Sequence, residues 1–259
     1  MAKASVASAM PFEGPSAAPA SAARSATRAT VLHLCGLCDQ VGESEGQALR
    51  RIGRRQRIRS GDQLICSTAG DAIVGNLTRG VLEVVRSEGD GARSVGLVFP
   101  GEIVGHPFGP PANATVRALT DAQLCIFPRS ALEQVSRDYP AVQRALLRCA
   151  LHSLSEARRW LLIIGRQSAR ERVVAFLLEF ARRQRAGAPS GDTLDLPLKR
   201  GSIGDLLGLS METISRQLQA LARAGLIALP SRRTIELVDR PGLERLVGAR
   251  RSTLEGVMA

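Results

Sequence analysis

No run of 18 or more apolar residues occurs in the chain, so nothing in it reads as a membrane span. Aromatic residues are scarce, at 3%, with a single Trp and a single Tyr. That scarcity argues against stacking on single-stranded bases and prefers groove reading of duplex DNA. Acidic residues are also outnumbered: 24 Asp and Glu stand against 35 Lys and Arg, a formal charge of +11. The resulting pI near 10.9 favours a polyanionic partner, nucleic acid or an acidic membrane surface. From Arg166 onward there are 16 Lys and Arg and only 10 Asp and Glu. The five cysteines are odd in number and the N-terminus lacks a continuous apolar core. Both point to a reducing, cytoplasmic setting without a secretory signal. His33, His106 and His152 form no ligand spacing with one another. The length, 259 residues, suits two domains.

The most informative stretch runs from Leu198 to Ala224. Ser202 is an N-cap type before a short helix over Ile203–Leu207, with Asp205 in its first turn. Gly208 stands where a tight turn needs positive φ. Ser210 then caps a second helix, and Ile214, Leu218 and Leu221 recur at four and three residues to give it one buried face. Met211, Glu212, Ser215, Arg216 and Gln219 are left on or near the other face, and Thr213 is counted with the DNA-binding residues. Their side chains suit base edges: Arg for guanine, Glu for the cytosine amino group, Ser for either, an apolar group for the thymine methyl. Gly225 stops this helix. Ile227–Leu229 and Thr234–Val238 then alternate as two short strands, with Arg232 and Arg233 at the turn between them. Basic side chains on such a wing suit phosphate contact, and Arg200 and Ser210 complete the set. The bland alternative is an amphipathic hairpin with solvated charges; the wing favours a winged helix-turn-helix.

Upstream, residues 1–30 are rich in Ala, Ser and Pro and read as a disordered arm. Cys35 and Cys38 form a C-x-x-C pair, a spacing suited to a metal, an iron–sulfur cluster or a redox dithiol, or to two small buried residues. From Gly46 to Arg59 the chain looks helical and then very basic. To Arg129 it breaks into short runs at Gln63–Cys66, Ala72–Gly75, Gly80–Arg86, Ser94–Val98, Ala114–Ala118 and Gln123–Pro128. Gly80 stands at a turn, and S-E-G-D-G-A-R reads as a hairpin. Such strands predict an antiparallel barrel or roll over residues 31–138. Cys66 and Cys125 lie in or beside its strands. Residues 139–165 read as one helix, roughly 38 Å long at 1.5 Å per residue. Its stripe of Val142, Leu146, Cys149, Ser153, Ala157, Leu161 and Ile164 either pairs with a second copy or packs on the barrel. Ser168 caps a further helix over Ala169–Arg183, A-G-A-P-S-G-D is a loop, and Gly242–Arg251 suits a short last helix. Residues 166–259 thus form the DNA-binding domain, and the fold class is α+β.

With R-G-S-I-G-D-L-L-G-L-S-M-E-T-I-S-R-Q-L, F-P-G-E-I-V-G and A-R-E-R-V-V-A-F-L-L on the page, the chain resembles the CRP/FNR family of bacterial transcription regulators from about Cys35 onward. The resemblance implies a homodimer that binds a palindrome in double-stranded DNA and works with RNA polymerase, and no enzyme. The family's E-x-x-S-R readers would be Glu212, Ser215 and Arg216. Met211 and Ser215 resemble the FNR/FixK branch, whose half-sites look like TTGAT. That branch's [4Fe–4S] cluster implies Cys35, Cys38 and Cys125 as ligands. A further N-terminal cysteine is missing, which leaves Cys66 or Asp39 as a fourth, or no cluster and control by a thiol switch, another small ligand or abundance. The family's cyclic-nucleotide pocket is matched at Gly101 and Glu102. Ala112, Asn113, Ala114 and Thr115 supply no cation for the phosphate, so no cyclic nucleotide is expected. A dithiol redox protein is the rival from another class, but Cys35–Cys38 lacks a strand–C-x-x-C–helix context.

Overall fold

The computed structural model describes residues 37–66, 72–88, 91–108, 115–185 and 192–248. The N-terminal arm, Cys35, Ala112–Ala114 and the C-terminal tail lie outside the described residues. Alternating burial builds the first half. Strand β8 (Ala122–Pro128) turns Leu124 and Ile126 to one face and Cys125 and Phe127 to the other. The inner face meets Ile58, Leu77, Leu82, Val98 and Val116 from both sheets of a barrel. Its two four-stranded antiparallel sheets run β1-β8-β3-β6 and β2-β7-β4-β5. Here β1 is Arg54–Ile58, β2 Gln63–Ile65, β3 Ile73–Arg79, β4 Leu82–Glu88, β5 Gly91–Val98, β6 Ile103–Val104 and β7 Thr115–Ala118. The expected β4–β5 hairpin is present, from Leu82↔Val98 to Glu88↔Gly91. Gly80 adopts φ +94, and a Cβ there would strike the Asp121–Ala122 backbone.

Two strands of the barrel half and a helix go beyond the elements assigned from the sequence. The basic stretch after α1 (Glu43–Ile52) is β1, an edge strand whose cations stay exposed while Ile58 alone faces inward. The two-residue β6 is too short to show a period. Arg129–Asp138, unassigned between barrel and long helix, forms α2, which buries Leu132 and Val135.

Helix α3 (Pro140–Arg166) starts with proline at its first turn, where no intrahelical N–H is lost. The expected stripe along it divides. Val142 and Leu146 turn inward with Ala145, onto a cluster with Leu49, Phe127, Leu132 and Cys38. The large exposed apolar residues are Leu147, Leu151 and Leu154, on a neighbouring face, and Leu161 of the expected stripe. The unforeseen α2 covers the face on which the stripe begins.

The C-terminal half packs α4 (Ala169–Arg185) against α5 (Arg200–Leu207), α6 (Met211–Arg223) and α7 (Arg240–Gly248). Ser168 and Glu171 close a reciprocal cap on α4. Phe180, Leu207, Ile214, Leu221 and Ile235 are almost wholly buried. Each such side chain contributes about 1.5–3 kcal/mol on leaving water. A third strand, β9 (Thr193–Asp195), joins β10 (Ile227–Ala228) and β11 (Thr234–Leu237) in the order β10-β11-β9. Its three residues follow the Gly- and Pro-containing loop and are too few to stand out in the sequence.

Candidate nucleic-acid interface

The helix-turn-helix forms with one correction at its start. Helix α5 begins at Arg200 with Lys199 at the cap, so Ser202 lies in its first turn and is not the N-cap. Ser202 hydrogen-bonds the Glu83 carboxylate of the barrel instead, and Asp205 accepts from the Ser94 N–H at 3.3 Å. These two contacts dock α5 on the β4–β5 hairpin. Gly208 adopts φ +62 at the turn. Gly204, which the sequence reading passed over, is also required, because a Cβ there would collide with the Leu209 carbonyl oxygen. Arg172 closes the back of the unit by donating to the Leu207 carbonyl at 3.2 Å.

Ser210 caps α6 as expected: its hydroxyl accepts from the Thr213 N–H at 3.1 Å. Ile214, Leu218 and Leu221 are buried. The opposite face is open: Met211, Glu212 and Arg216 are exposed, and Ser215 is half-buried. Thr213 is taken up by the cap, its hydroxyl 2.9 Å from that of Ser210. Ser215 donates to the Met211 carbonyl at 3.0 Å and keeps its lone pairs as acceptors. Glu212 sits in the first turn, where a carboxylate suits the helix dipole.

Gly225 ends the helix at φ +70. Arg232 and Arg233 are exposed at the wing tip, which Ser231 holds by accepting from the Arg233 and Thr234 N–H groups. Arg200 differs from the two wing arginines. It is half-buried, desolvation lowers its pKa, and it donates to the Arg232 carbonyl at 3.5 Å. It braces the wing from within. The open surface can therefore do two things: α6 offers acceptors, donors and one apolar tip to a groove, and the wing offers two cations to a backbone.

The candidate sensor cysteines are not brought together as one set. Cys38 is buried and Cys125 half-buried against the same apolar cluster, the one that also takes Val142 and Leu146. Cys149 on α3 accepts from Gln40 Nε2 at 3.8 Å. Cys66 belongs to the barrel-interior cluster, and burial pushes its thiol up to about 11. Among the described residues no three or more His, Cys, Asp or Glu converge as metal ligands. Glu102 is likewise engaged, accepting from the Phe99 N–H at 2.9 Å and pairing with Arg183 at 2.5 Å. No described helix is long and apolar enough to cross a membrane.

Comparison with known proteins agrees with this division of the chain. Residues 55–139 match the cyclic nucleotide-binding domain and residues 171–246 the Crp-like helix-turn-helix domain. A probable transcriptional activator of Rhizobium leguminosarum bv. viciae is 34% identical over 214 residues, 82% of this chain and 89% of that protein. The transcriptional activator protein FnrL of Cereibacter sphaeroides is 34% identical over 223 residues, 81% and 90% of the two chains. The solved structure of FixK2 from Bradyrhizobium japonicum aligns with a TM-score of 0.66 at 29% identity, covering 75% of this chain and 97% of that one. With an exposed recognition helix, a basic wing and these relatives, the chain is a DNA-binding transcription regulator, not an enzyme, and it belongs to the FixK-like branch of the CRP/FNR family.

Proposed function

We propose that the chain works as a homodimer on an inverted repeat with TTGAT-like half-sites, and that cysteine chemistry in the barrel sets its affinity. The observation that carries the DNA half is the open face of α6, with Glu212, Ser215 and Arg216 directed away from the buried Ile214, Leu218 and Leu221. Leu147, Leu151 and Leu154 follow a four-three spacing on α3, and Leu161 continues it one heptad on; all four are exposed. Such a seam suits a second copy, and two-fold related recognition helices meet successive major grooves. The names of the two relatives, transcriptional activators, support a further contact with RNA polymerase. The regulator acts in the cytoplasm.

The sensing half rests on placement. Cys38 and Cys125 share an apolar cluster with the first turns of α3, so chemistry at either sulfur bears on the helix that would carry the seam. An iron–sulfur cluster needs four ligands. Cys35, Cys38 and Cys125 are its candidates, while Cys66 lies in another core with a thiol that resists ionisation. Cys35 lies outside the described residues, and the reading has two forms, a cluster completed by a fourth ligand or thiols that act directly. A cyclic nucleotide is not part of the reading, because no cation stands at Ala112–Thr115.

The test is anaerobic purification, iron analysis and sedimentation, then titration of a labelled TTGAT palindrome before and after air or a thiol oxidant. A dimer that prefers the palindrome over scrambled duplex, and loses affinity on oxidation, is expected. Iron in the protein distinguishes a cluster from bare thiols. A monomer, or a dimer indifferent to oxygen and thiol state, would refute the corresponding half.

A further inference from the structure

Outside the barrel lies a hollow. It has a volume of about 520 Å³ and sits between β5, α3, α4 and α5. Its β5 wall lies mostly away from the barrel interior: Leu97 and Phe99 pack with the core of the DNA-binding domain, and Val98 borders both the hollow and the interior cluster. Its walls concentrate aromatic residues, which are scarce in the chain. Phe99, Trp160, Phe176 and Phe180 line it, four of the eight aromatic residues in the sequence. Phe180 stands edge-on to Phe99 at 5.5 Å and tilted to Phe176 at 5.9 Å. The volume falls within the usual range for small-molecule sites, about 300–1,000 Å³.

The charged groups beside it decide what it can hold. Arg183 pairs with Glu102 at 2.5 Å, Glu179 at 2.5 Å and Glu156 at 2.7 Å, and its guanidinium lies 5.0 Å over the Phe99 ring. Arg159 pairs with both Glu156 and Glu179 at 2.8 Å. The cations are thus already met by carboxylates, and an anionic ligand would add a further negative charge beside three others. A cationic ligand would have to displace an arginine from them. An uncharged ring system loses nothing to this network and gains aromatic contact on several sides.

We infer that this hollow is a binding site for an uncharged aromatic small molecule, placed between sensor barrel, long helix and DNA-binding domain. A ligand in it touches all three. It is independent of the cysteine chemistry and borders the interior of the barrel at Val98.

Trp160, the only tryptophan, lines the site and reports on it directly. The probe is N-phenyl-1-naphthylamine, an uncharged three-ring fluorophore, with its sulfonated analogue 8-anilino-1-naphthalenesulfonate as the anionic control. The uncharged dye is expected to quench Trp160 by energy transfer and to bind at least about ten-fold more tightly than the sulfonate. Leu206→Phe, on a half-buried position of α5, and Val95→Phe, on an exposed position of β5, narrow the hollow from two walls. Each should weaken uptake about ten-fold, with circular dichroism and sedimentation unchanged. Equal binding of the two dyes overturns the inference on the unsubstituted protein alone. So does an absence of uptake, as when a second copy fills the space. Uptake that both variants leave intact would place the dye elsewhere and overturn it as well.

Discussion

Arg216 and Arg183 lie on helices α6 and α4 of one domain, helices that pack against each other, yet their surroundings are opposite. Arg216 projects from the open face of the recognition helix and makes no ion pair among the described residues. Arg183 is almost enclosed and pairs with Glu102 of the barrel, Glu156 of α3 and Glu179 of its own helix. One cation is left for a ligand; the other is spent on holding three parts of the chain together. The difference is one of dielectric. An exposed guanidinium stays hydrated and pays little to exchange water for a phosphate or a base edge. A buried one must keep its carboxylates, because removing either side strands charge away from water.

The comparison breaks most sharply at Arg183. Arg183→Ala leaves three carboxylates close together and should destabilise folding by about 3 kcal/mol, read by urea unfolding with Trp160 fluorescence. A loss below about 1 kcal/mol, the range of exposed pairs, would mean the network is solvated and the contrast false. Acid probes the same cluster. Burial alone would raise the Glu179 pKa, but hydrogen bonds from Arg182, Arg183 and Arg159 outweigh it and hold the carboxyl at about 2. A depressed carboxyl contributes stability that is complete above its unfolded value and lost as pH falls through the folded one. Unfolding midpoints should therefore decline between the ordinary value of 4.5 and about 2, and Glu179→Gln should flatten that decline.

Arg216→Ala should do the reverse of Arg183→Ala. Stability should hold while discrimination between palindrome and scrambled duplex falls by about 1–3 kcal/mol. Equal loss on both duplexes would remove Arg216 from base reading. Ser210→Ala deletes the hydroxyl that caps α6 and should cost about 1 kcal/mol of stability, measured by thermal unfolding. Arg232→Ala should have the smallest effect. It weakens all duplexes alike and lowers the slope of log affinity against log salt by about 0.9. A change in sequence preference would contradict a phosphate role.

How much of this was legible in the sequence followed the range of the interactions. The recognition helix is specified within fourteen positions, Ser210 to Arg223, by a cap, a three-four stripe and a following glycine, and it forms where those signals place it. Helix α2 had a local signal too, Leu132 and Val135 three apart with Arg129 and Glu133 four apart, but it was overlooked between two stronger textures. Strand β1 had almost none, since four of its five residues are polar and its pairing with β8 joins positions about 70 apart. Ser202 looked like a cap because its type suits one; a carboxylate from the barrel competes for its hydroxyl. The exposed apolar face of α3 differs from the expected stripe except at Leu161 for a similar reason, since which face is left over depends on what α2 covers.

The sequence by itself determined the winged helix-turn-helix, the buried and open faces of α6, and the alternation that makes a barrel. These depend on backbone periods and on caps and turns a few residues long. Tertiary structure alone decided that Cys38 and Cys125 share a core from which Cys66 is separate, that Arg200 braces the wing, and that Arg183 ties barrel, long helix and DNA-binding domain together. Those outcomes depend on which distant side chains meet away from water, and no local pattern carries that information.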